Sequence, residues 1–489
     1  MARHPGAGQD VQDSCVRQGV NEGVSSAGTA SPPAVPARPA RLRPAGRAAR
    51  AEALLAVAAF AVLCAAVLRV HPALVEPDDF AYRASIVGIT DGHLLTLSTA
   101  QMNALTGQLG REPGSALTPG PGQPPPQWVE LPGGRWISEK DPGYPFLAAP
   151  FLLLGVIRLA PLFFGALACA GLFAGARRWL GRFGGAAAVG LFCSSGAALL
   201  FAWRDYMPTF TDASLIAAGT GALLWAVLAT EATARRRTWA GLAGFVALEA
   251  AVFARYTDIA VLGCAVLAVI VAWRLRQVPG TALGWWLGSV AVSGAGVAAF
   301  DSLVYGGPFT SGYRPGEIRF SLSAVAPNLR LMPAHLIEAM PMLVLGLAAL
   351  AWIVGRWLRL RRAGGAPAAA AGRDLAVGLA LAACWFSVWG LYAAYTWTAL
   401  PGLTTLQAVR FYVPAIGAIA LLGAWLVVRV PRRPALAGVA TAAVLTVTFI
   451  LGIWSFSTMT SFSARSLGPG PVPHGVVGRP GPGARISRP

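Results

Sequence analysis

The sequence predicts an all-α polytopic membrane protein with about eleven transmembrane helices. Its 489 residues are 55% hydrophobic and only 12% charged, with a mean hydropathy of +0.57, whereas soluble domains are nearer to one quarter charged. Apolar runs of about 20 residues, the length that crosses a hydrocarbon core, also recur along the chain. We place the spans at about 53–70, 158–176, 184–202, 212–230, 239–254, 257–273, 282–304, 336–355, 375–395, 411–428 and 435–454.

The positive charge is distributed as in the loops of a membrane protein. The net charge of +18 could suggest a nucleic-acid partner, but the arginines fall in short clusters between apolar runs, which is typical of cytoplasmic loops. These clusters precede the first span and follow every second one: 41–50, 177–182, 235–237, 274–276, 356–362 and 429–433. We therefore expect a multi-pass protein of the cell membrane with a cytoplasmic N-terminus, lipid neighbours and no nucleic-acid partner.

The chain divides into two tails and one membrane domain. Residues 1–48 are rich in Ala, Pro, Gly and Arg without an apolar period, which predicts a disordered cytoplasmic tail. Residues 49–455 form the membrane domain, with long outer loops at 71–144 and 305–335, and residues 456–489 form a second disordered tail. The apolar segment 145–157 is too short to span, and it predicts an interfacial helix.

An acidic pair follows the first span closely. Asp78 and Asp79 stand in the stretch VEPDDFAYR. A carboxylate at the lipid–water boundary loses solvation, which raises its pKa and suits it to accept a proton from a hydroxyl nucleophile. The alternative interpretation is a helix N-cap with first-turn acids before Phe80 and Tyr82, and the local sequence alone favours the cap.

A second polar group precedes the interfacial segment. The stretch GGRWISEKDPGYPF contains Glu139, Lys140, Asp141 and Tyr144, and Lys140 is the only lysine of the chain. A cation at this level can meet a phosphate at the membrane surface. An ordinary solvated Asp-Pro-Gly turn explains the same residues.

Three arginines mark the outer ends of spans. Arg204, Arg255 and Arg410 suit a lipid-linked phosphate, because a guanidinium binds phosphate through two parallel hydrogen bonds. Arginines at this depth also snorkel to headgroups or pair with acids. Tyr305 begins a loop rich in hydroxyl and aromatic side chains, which suits a sugar, a headgroup or an interfacial aromatic belt.

Two other function classes stay open. A transporter would show charged or broken helices near the bilayer midplane and a repeat of its first half in the second, and neither is evident. A non-catalytic assembly protein of the cell envelope would tolerate amide substitution of the acidic pair. Gly-rich nucleotide loops, HExxH, Walker motifs and paired CxxC motifs are absent from the sequence.

Five stretches in order resemble the C-type (GT-C) membrane glycosyltransferases, the group of the protein O-mannosyltransferases and the aminoarabinose transferases. The stretches are PDDFAYRASIVGITDG, GRWISEKDPGYPFLAAPF, RDYMPTFTDASLIA, VYGGPFTSGY and VRFYVPAIGAIALL. The chain departs from the family pattern in two places. Its acidic pair is Asp-Asp where the family has Asp-Glu, and Lys140-Asp141 stands where the family has His or Lys before Pro-Gly.

The resemblance implies transfer of a sugar from a polyprenyl-phosphate donor to a lipid, glycan or protein acceptor, with an oxocarbenium-like transition state and inversion. Asp79 or Asp78 is the expected base, with Asp79 preferred because it adjoins the aromatic Phe80. Lys140 and Arg410 are the expected phosphate ligands, with Arg204 and Arg255 as second choices. No cofactor is assigned, a divalent cation stays open, and substrate binding is assigned to the neighbouring Tyr82, Glu139, Asp141, Tyr144 and Tyr305.

Overall fold

The computed structural model describes most of the predicted membrane domain. The described residues are 45–70, 76–93, 96–109, 127–131, 133–308, 310–313, 318–362, 364–431 and 433–466. Most of both predicted tails lies outside these ranges. The last helix continues to Ser466, past residue 456, where the sequence predicts the C-terminal tail to begin.

The described part of the chain contains seventeen α-helices, three short strands and three single-turn 3-10 helices at Tyr256–Asp258, Leu322–Ala324 and Val413–Ala415. In chain order the α-helices and strands are α1 Ala45–Arg69, α2 Pro77–Thr90, β1 Thr96–Ser98, α3 Thr99–Leu109, β2 Trp128–Leu131, β3 Arg135–Ser138, α4 Gly143–Leu153, α5 Leu159–Leu180, α6 Gly184–Cys193, α7 Gly196–Trp203, α8 Thr209–Leu228, α9 Ala234–Ala254, α10 Ile259–Arg274, α11 Gly280–Val304, α12 Val325–Ala339, α13 Leu343–Leu360, α14 Gly365–Ala393, α15 Thr405–Val409, α16 Ile416–Arg429 and α17 Pro434–Ser466.

The helical fold class predicted from the sequence is confirmed. Among the described residues, nine helices are long and apolar enough to cross a membrane, and α6 with α7 makes a tenth if the bent pair is one span. The remaining predicted span corresponds to a shorter apolar segment, Val413–Arg429. The chain is therefore a multi-pass membrane protein.

The predicted span 184–202 is not one straight helix, since α6 and α7 meet at an angle of 59°. The break falls at Ser194 and Ser195, where the Ser194 hydroxyl donates to the hydroxyl oxygen of Thr448 on α17 at 2.9 Å. Gly452 permits this approach, because a Cβ there would lie 1.9 Å from the Ser194 carbonyl oxygen. Adjacent Ser and Gly residues are a common cause of helix kinks, and hydropathy alone does not detect them.

Two other predicted elements shift in position. The predicted span 336–355 begins only at Leu343, because α12 ends at Ala339 and Pro341 follows before α13. The predicted interfacial segment 145–157 corresponds to α4, a short apolar helix.

A small antiparallel sheet lies in the segment 71–144, which the sequence predicts to be a long outer loop of an all-α protein. Its strand order is β1-β3-β2, with Trp128 opposite Ser138 and Thr96 opposite Ile137. Gly133 and Gly134 turn the chain between β2 and β3 with φ of 90° and 71°, a conformation that favours glycine. Because β3 ends at Ser138, the sheet fixes where the following Glu139–Lys140 segment leaves it.

Helix α2 is held from two sides. Its Tyr82 ring packs edge-on against Tyr144 of α4, with the ring centroids 5.9 Å apart. On another face, the buried Ala81 and Ala84 pack in a small core with Leu97 of β1 and further apolar side chains of α3 and β2. These contacts fix the N-terminal end of α2, which bears the acidic pair.

Candidate active site

The acidic pair lies in the first turn of α2, and its two members have different surroundings. Glu76 is the N-cap, Pro77 follows, and the Asp79 carboxylate accepts the Glu76 backbone N–H at 2.9 Å to form a capping box. The cap interpretation of the sequence therefore describes Asp79. Asp78, one residue earlier, takes no part in this box.

Asp78 is held between two cations from distant parts of the chain. Its Oδ1 lies 3.2 Å from Lys140 Nζ, and its Oδ2 accepts from Arg410 Nη1 at 2.7 Å. Arg410 Nη1 also donates to Glu76 Oε2 at 2.7 Å. The fold thus joins the start of α2, the end of β3 and the segment before α16.

Arg204 is fully buried and lies deeper in the protein than Asp78 and Arg410. Its Nη2 donates to Asp79 Oδ2 at 2.6 Å and to Glu76 Oε2 at 3.1 Å. Three carboxylates and three cations therefore form one buried network, which we call the charge cluster: Glu76, Asp78, Asp79, Lys140, Arg204 and Arg410. Because the charges balance, the cluster can be buried without a lone uncompensated ion.

The charges of the cluster set the protonation of Asp78. Burial by itself raises the pKa of this carboxyl, but Arg410 and Lys140 outweigh burial and hold its pKa well below the usual range. Burial by itself lowers the pKa of Lys140. Asp78 and Tyr313 raise this pKa by more than burial lowers it, so it lies above the ordinary lysine value. Asp78 is therefore ionised and Lys140 protonated at neutral pH.

Accessibility separates the members of the cluster. The side chains of Asp78 and Arg410 are 13% and 12% exposed, whereas that of Arg204 is fully buried. Arg410 uses Nη1 for the carboxylates, and its Nε is a buried donor with no hydrogen-bond partner among the described residues. Arg204 also has buried donors without a partner among the described residues, Nε and Nη1, but its side chain is fully buried, so Arg410 is the more exposed of the two arginines.

Arg255 forms a second layer next to the cluster. Its Nη1 lies 3.2 Å from Asp212 Oδ2 and donates to the backbone carbonyl of Arg410 at 3.2 Å. Its guanidinium also lies over the rings of Tyr392 and Phe411, at 5.7 and 5.3 Å. Arg255 therefore helps to hold the backbone of Arg410 in position.

The predicted substrate-binding residues fall into two groups. Tyr144 is fully buried and donates its hydroxyl proton to the Asp205 carbonyl, and Tyr82 is 5% exposed against it, so both belong to the scaffold beneath the site. Glu139 is buried, and its backbone N–H donates to the Gln127 carbonyl at 2.9 Å.

Asp141 and Tyr305 are half-buried and closer to the surface. Burial raises the pKa of Asp141 to about 7, although Arg255 and Lys140 each act to lower it. Burial also raises the pKa of the Tyr305 hydroxyl, with Asp141 and Asp301 contributing in the same direction. Asp141 is thus partly protonated at neutral pH, unlike Asp78.

Sequence reasoning missed three residues that border the site. Glu76 bridges Arg204 and Arg410, and its place before Pro77 with Asp79 three residues on is a recognisable capping-box signal. Tyr313 accepts from Lys140 Nζ at 3.1 Å. The ring of Trp397 lies 4.8 Å from the Arg410 guanidinium carbon.

The described residues contain no group of three or more His, Cys, Asp and Glu side chains that could hold a metal ion. In the charge cluster, every carboxylate faces an arginine or lysine.

Comparison with known proteins gives structural neighbours only. No protein-family model and no curated protein sequence matches the chain. The fold is similar to that of ArnT from Cupriavidus metallidurans bound to undecaprenyl phosphate, with a TM-score of 0.47 and 16% identity, over 79% of this chain and 61% of that one. It is also similar to the apo oligosaccharyltransferase of Archaeoglobus fulgidus, with a TM-score of 0.46 and 12% identity, over 82% and 56%. The chain spans about three fifths of the length of these structures.

Proposed function

We propose that the protein is a membrane glycosyltransferase that moves a sugar from a polyprenyl-phosphate donor to an acceptor hydroxyl on the outer face of the cell membrane. The observation that carries this proposal is the clamp on Asp78. A carboxylate that reaches the surface of a buried charge cluster is held by Lys140 at 3.2 Å and by Arg410 at 2.7 Å. Glycosyl transfer from a phosphate needs a base for the acceptor hydroxyl and, next to it, a positive charge that stabilises the leaving phosphate.

The two edges of the Arg410 guanidinium separate these roles. Nη1 faces Asp78 and Glu76, while Nε belongs to the opposite edge and has no hydrogen-bond partner among the described residues. We assign the donor phosphate to this edge, where a guanidinium binds phosphate through two parallel hydrogen bonds. A donor phosphate on that edge is separated from the Asp78 carboxylate only by the guanidinium group. Lys140, whose side chain is 8% exposed, adds a second positive charge to the phosphate that leaves.

In this arrangement Asp78 accepts the proton of the acceptor hydroxyl as its oxygen bonds to the anomeric carbon. The bond from that carbon to the phosphate oxygen breaks, and its electron pair stays on the polyprenyl phosphate, which Arg410 and Lys140 stabilise. When the donor phosphate engages the two cations, their hold on Asp78 weakens and its basicity rises. A single displacement of this kind inverts the anomeric configuration.

Asp78 fits the role of base better than Asp79, although the sequence alone favours Asp79. Asp79 is 1% exposed, and its Oδ2 accepts from both Glu76 and Arg204. A carboxylate with these contacts is committed to the helix cap and to the buried ion pair, and it has little access to an acceptor.

The bent pair α6 and α7 is the feature that a transporter would share. Broken helices in transporters expose backbone groups to a substrate or ion near the midplane. Here the break is filled from α17, since Thr448 accepts from Ser194 and Gly452 lies directly against it. The break therefore does not favour transport.

The first prediction concerns the side of the membrane. If the segment 71–144 faces outside and the loop before α9 faces the cytoplasm, Ser98→Cys will react with an impermeant thiol reagent in intact cells and Ala234→Cys only after the membrane is opened. Both side chains are exposed, and the unsubstituted chain gives the background from its own cysteines. The reverse labelling pattern would contradict the topology and the proposed function together.

The second prediction tests the phosphate ligands. Lys140→Ala and Arg410→Lys are each expected to weaken donor binding by about 10- to 150-fold, because a hydrogen bond to a charged group contributes roughly 1.5–3 kcal/mol. Arg410→Lys keeps a cation near Asp78 and Glu76 but removes the second guanidinium edge. Binding is measured with polyprenyl phosphate and purified protein.

The matched control is Arg330→Ala, which removes an exposed arginine of α12. We expect this variant to bind polyprenyl phosphate as the unsubstituted protein does. Unchanged binding in both Lys140→Ala and Arg410→Lys would show that the phosphate does not bind at the charge cluster.

A further inference from the structure

Four partly exposed aromatic rings pack against one another, tilted or edge to face, and form one aromatic surface beside the charge cluster. Tyr395 lies between its neighbours, with ring centroids 5.3 Å from Phe320 and 5.2 Å from Phe411, and Trp397 lies 5.5 Å from Phe411. Phe320 is 42% exposed, and the other three rings are half-buried. We call this surface the aromatic platform.

The backbone under the platform is fixed by buried polar groups. The side-chain amide of Asn328, which is 1% exposed, donates to the carbonyls of Ala393 at 2.8 Å and Tyr395 at 3.0 Å. The buried Thr398 hydroxyl donates to the same Tyr395 carbonyl at 3.0 Å, and Phe320 pairs with Tyr395 through an isolated antiparallel bridge. The rings are therefore held in place before any ligand binds, which lowers the entropic cost of binding one.

The platform touches the proposed phosphate ligand directly. The Trp397 and Phe411 rings lie 4.8 and 4.7 Å from the Arg410 guanidinium carbon. Because their centroids are only 5.5 Å apart, the two rings lie next to each other beside the guanidinium. A phosphate on Arg410 therefore has an aromatic wall next to it.

We propose that the aromatic platform is the subsite for the sugar ring of the donor, and this inference rests on the proposed function. The sugar is joined to the phosphate through one oxygen atom, so a phosphate on Arg410 brings the ring within reach of Trp397 and Tyr395. The apolar face of a pyranose or furanose ring packs on aromatic faces, and its hydroxyl groups stay accessible to the polar edge of the site. The platform then selects for a sugar with one flat face of C–H groups.

Three other roles for these rings give different results in a binding experiment. As an interfacial belt, the rings would affect neither ligand. As a seat for the polyprenyl tail, or as a support for Arg410, they would affect polyprenyl phosphate with and without a sugar equally. Only a sugar subsite discriminates between the two ligands.

The test compares the affinity of polyprenyl phosphate with that of polyprenyl-phosphate mannose and polyprenyl-phosphate glucose. The variants are Trp397→Leu and Tyr395→Leu, which keep apolar bulk and remove the ring face. Tyr395→Leu leaves both ring contacts of Arg410 in place. The matched control is Trp454→Leu, which removes a ring that is 61% exposed on α17.

We expect the unsubstituted protein to bind at least one sugar-bearing ligand more tightly than polyprenyl phosphate. Tyr395→Leu should weaken binding of that ligand by roughly two- to tenfold, the range of an ordinary aromatic contact, and should leave binding of polyprenyl phosphate unchanged. Trp397→Leu should weaken binding of the sugar-bearing ligand more than binding of polyprenyl phosphate, because Trp397 also contacts Arg410, and the Trp454→Leu control should bind both ligands as the unsubstituted protein does. Equal weakening of both ligand types, no weakening, or no added affinity from either sugar would overturn the subsite and leave the phosphate site standing. Failure of the unsubstituted protein to bind polyprenyl phosphate at all would overturn the proposed function as well.

Discussion

Replacing Asp78 by asparagine is expected to lower turnover by about a hundredfold or more, because an amide cannot take the proton of the acceptor hydroxyl. Asparagine has nearly the same shape and still accepts from Arg410, so the start of α2 should keep its structure. The measurement is the rate of sugar transfer from a polyprenyl-phosphate donor by purified protein, with the melting temperature of each variant recorded beside it.

Two asparagine variants provide the comparison. Asp79→Asn weakens the contact with Arg204 at 2.6 Å and should lower the melting temperature, while the rate per folded molecule stays within about tenfold of the original. Asp91→Asn removes an exposed acid at the other end of α2 and should change neither quantity. A large loss of rate in Asp79→Asn together with full activity in Asp78→Asn would assign the base to Asp79, as the sequence alone favours.

The largest effect on stability is expected at Arg204. Arg204→Met removes the fully buried cation that pairs with Asp79 and Glu76, and the uncompensated carboxylate should lower the free energy of unfolding by about 3–5 kcal/mol. Thermal unfolding in detergent measures this loss. The double variant Arg204→Met with Asp79→Asn should recover part of it, because the second substitution removes the unpaired charge.

The matched control is Arg178→Met, since Arg178 forms its ion pair with Glu231 at an exposed site. Exposed ion pairs contribute about 0–1 kcal/mol, so this variant should unfold close to the temperature of the original protein. Equal stability of Arg204→Met and Arg178→Met would mean that the charge cluster does not hold the start of α2 in place.

The helical architecture could be predicted from the sequence because length and apolar content determine whether a segment can cross a bilayer. The bend at Ser194 could not, since it depends on Thr448 and Gly452, which lie far away in the sequence. The three strands were missed for a related reason. Each has only three or four residues, too few for the alternation that identifies a strand.

The candidate site could likewise be predicted only in part. The order of the predicted spans predicts that Asp78, Lys140 and Arg410 face one side of the membrane, and the structure brings the three side chains together. The separate surroundings of Asp78 and Asp79 could not be predicted, because adjacent residues in a first helical turn point in different directions and their arginine partners lie more than a hundred residues away. The roles of these residues in catalysis remain predictions.

The central claim is that Arg410 and Lys140 hold a sugar-bearing polyprenyl phosphate for attack beside Asp78. The most direct measurement follows release of free polyprenyl phosphate from polyprenyl-phosphate sugars by the purified protein, with cell-envelope extract as the source of acceptors. We expect release with at least one donor sugar, together with its transfer to an acceptor, and loss of both in Asp78→Asn and Lys140→Ala. A folded protein that consumes no donor, or one that consumes it equally well without Asp78 and Lys140, would contradict the account.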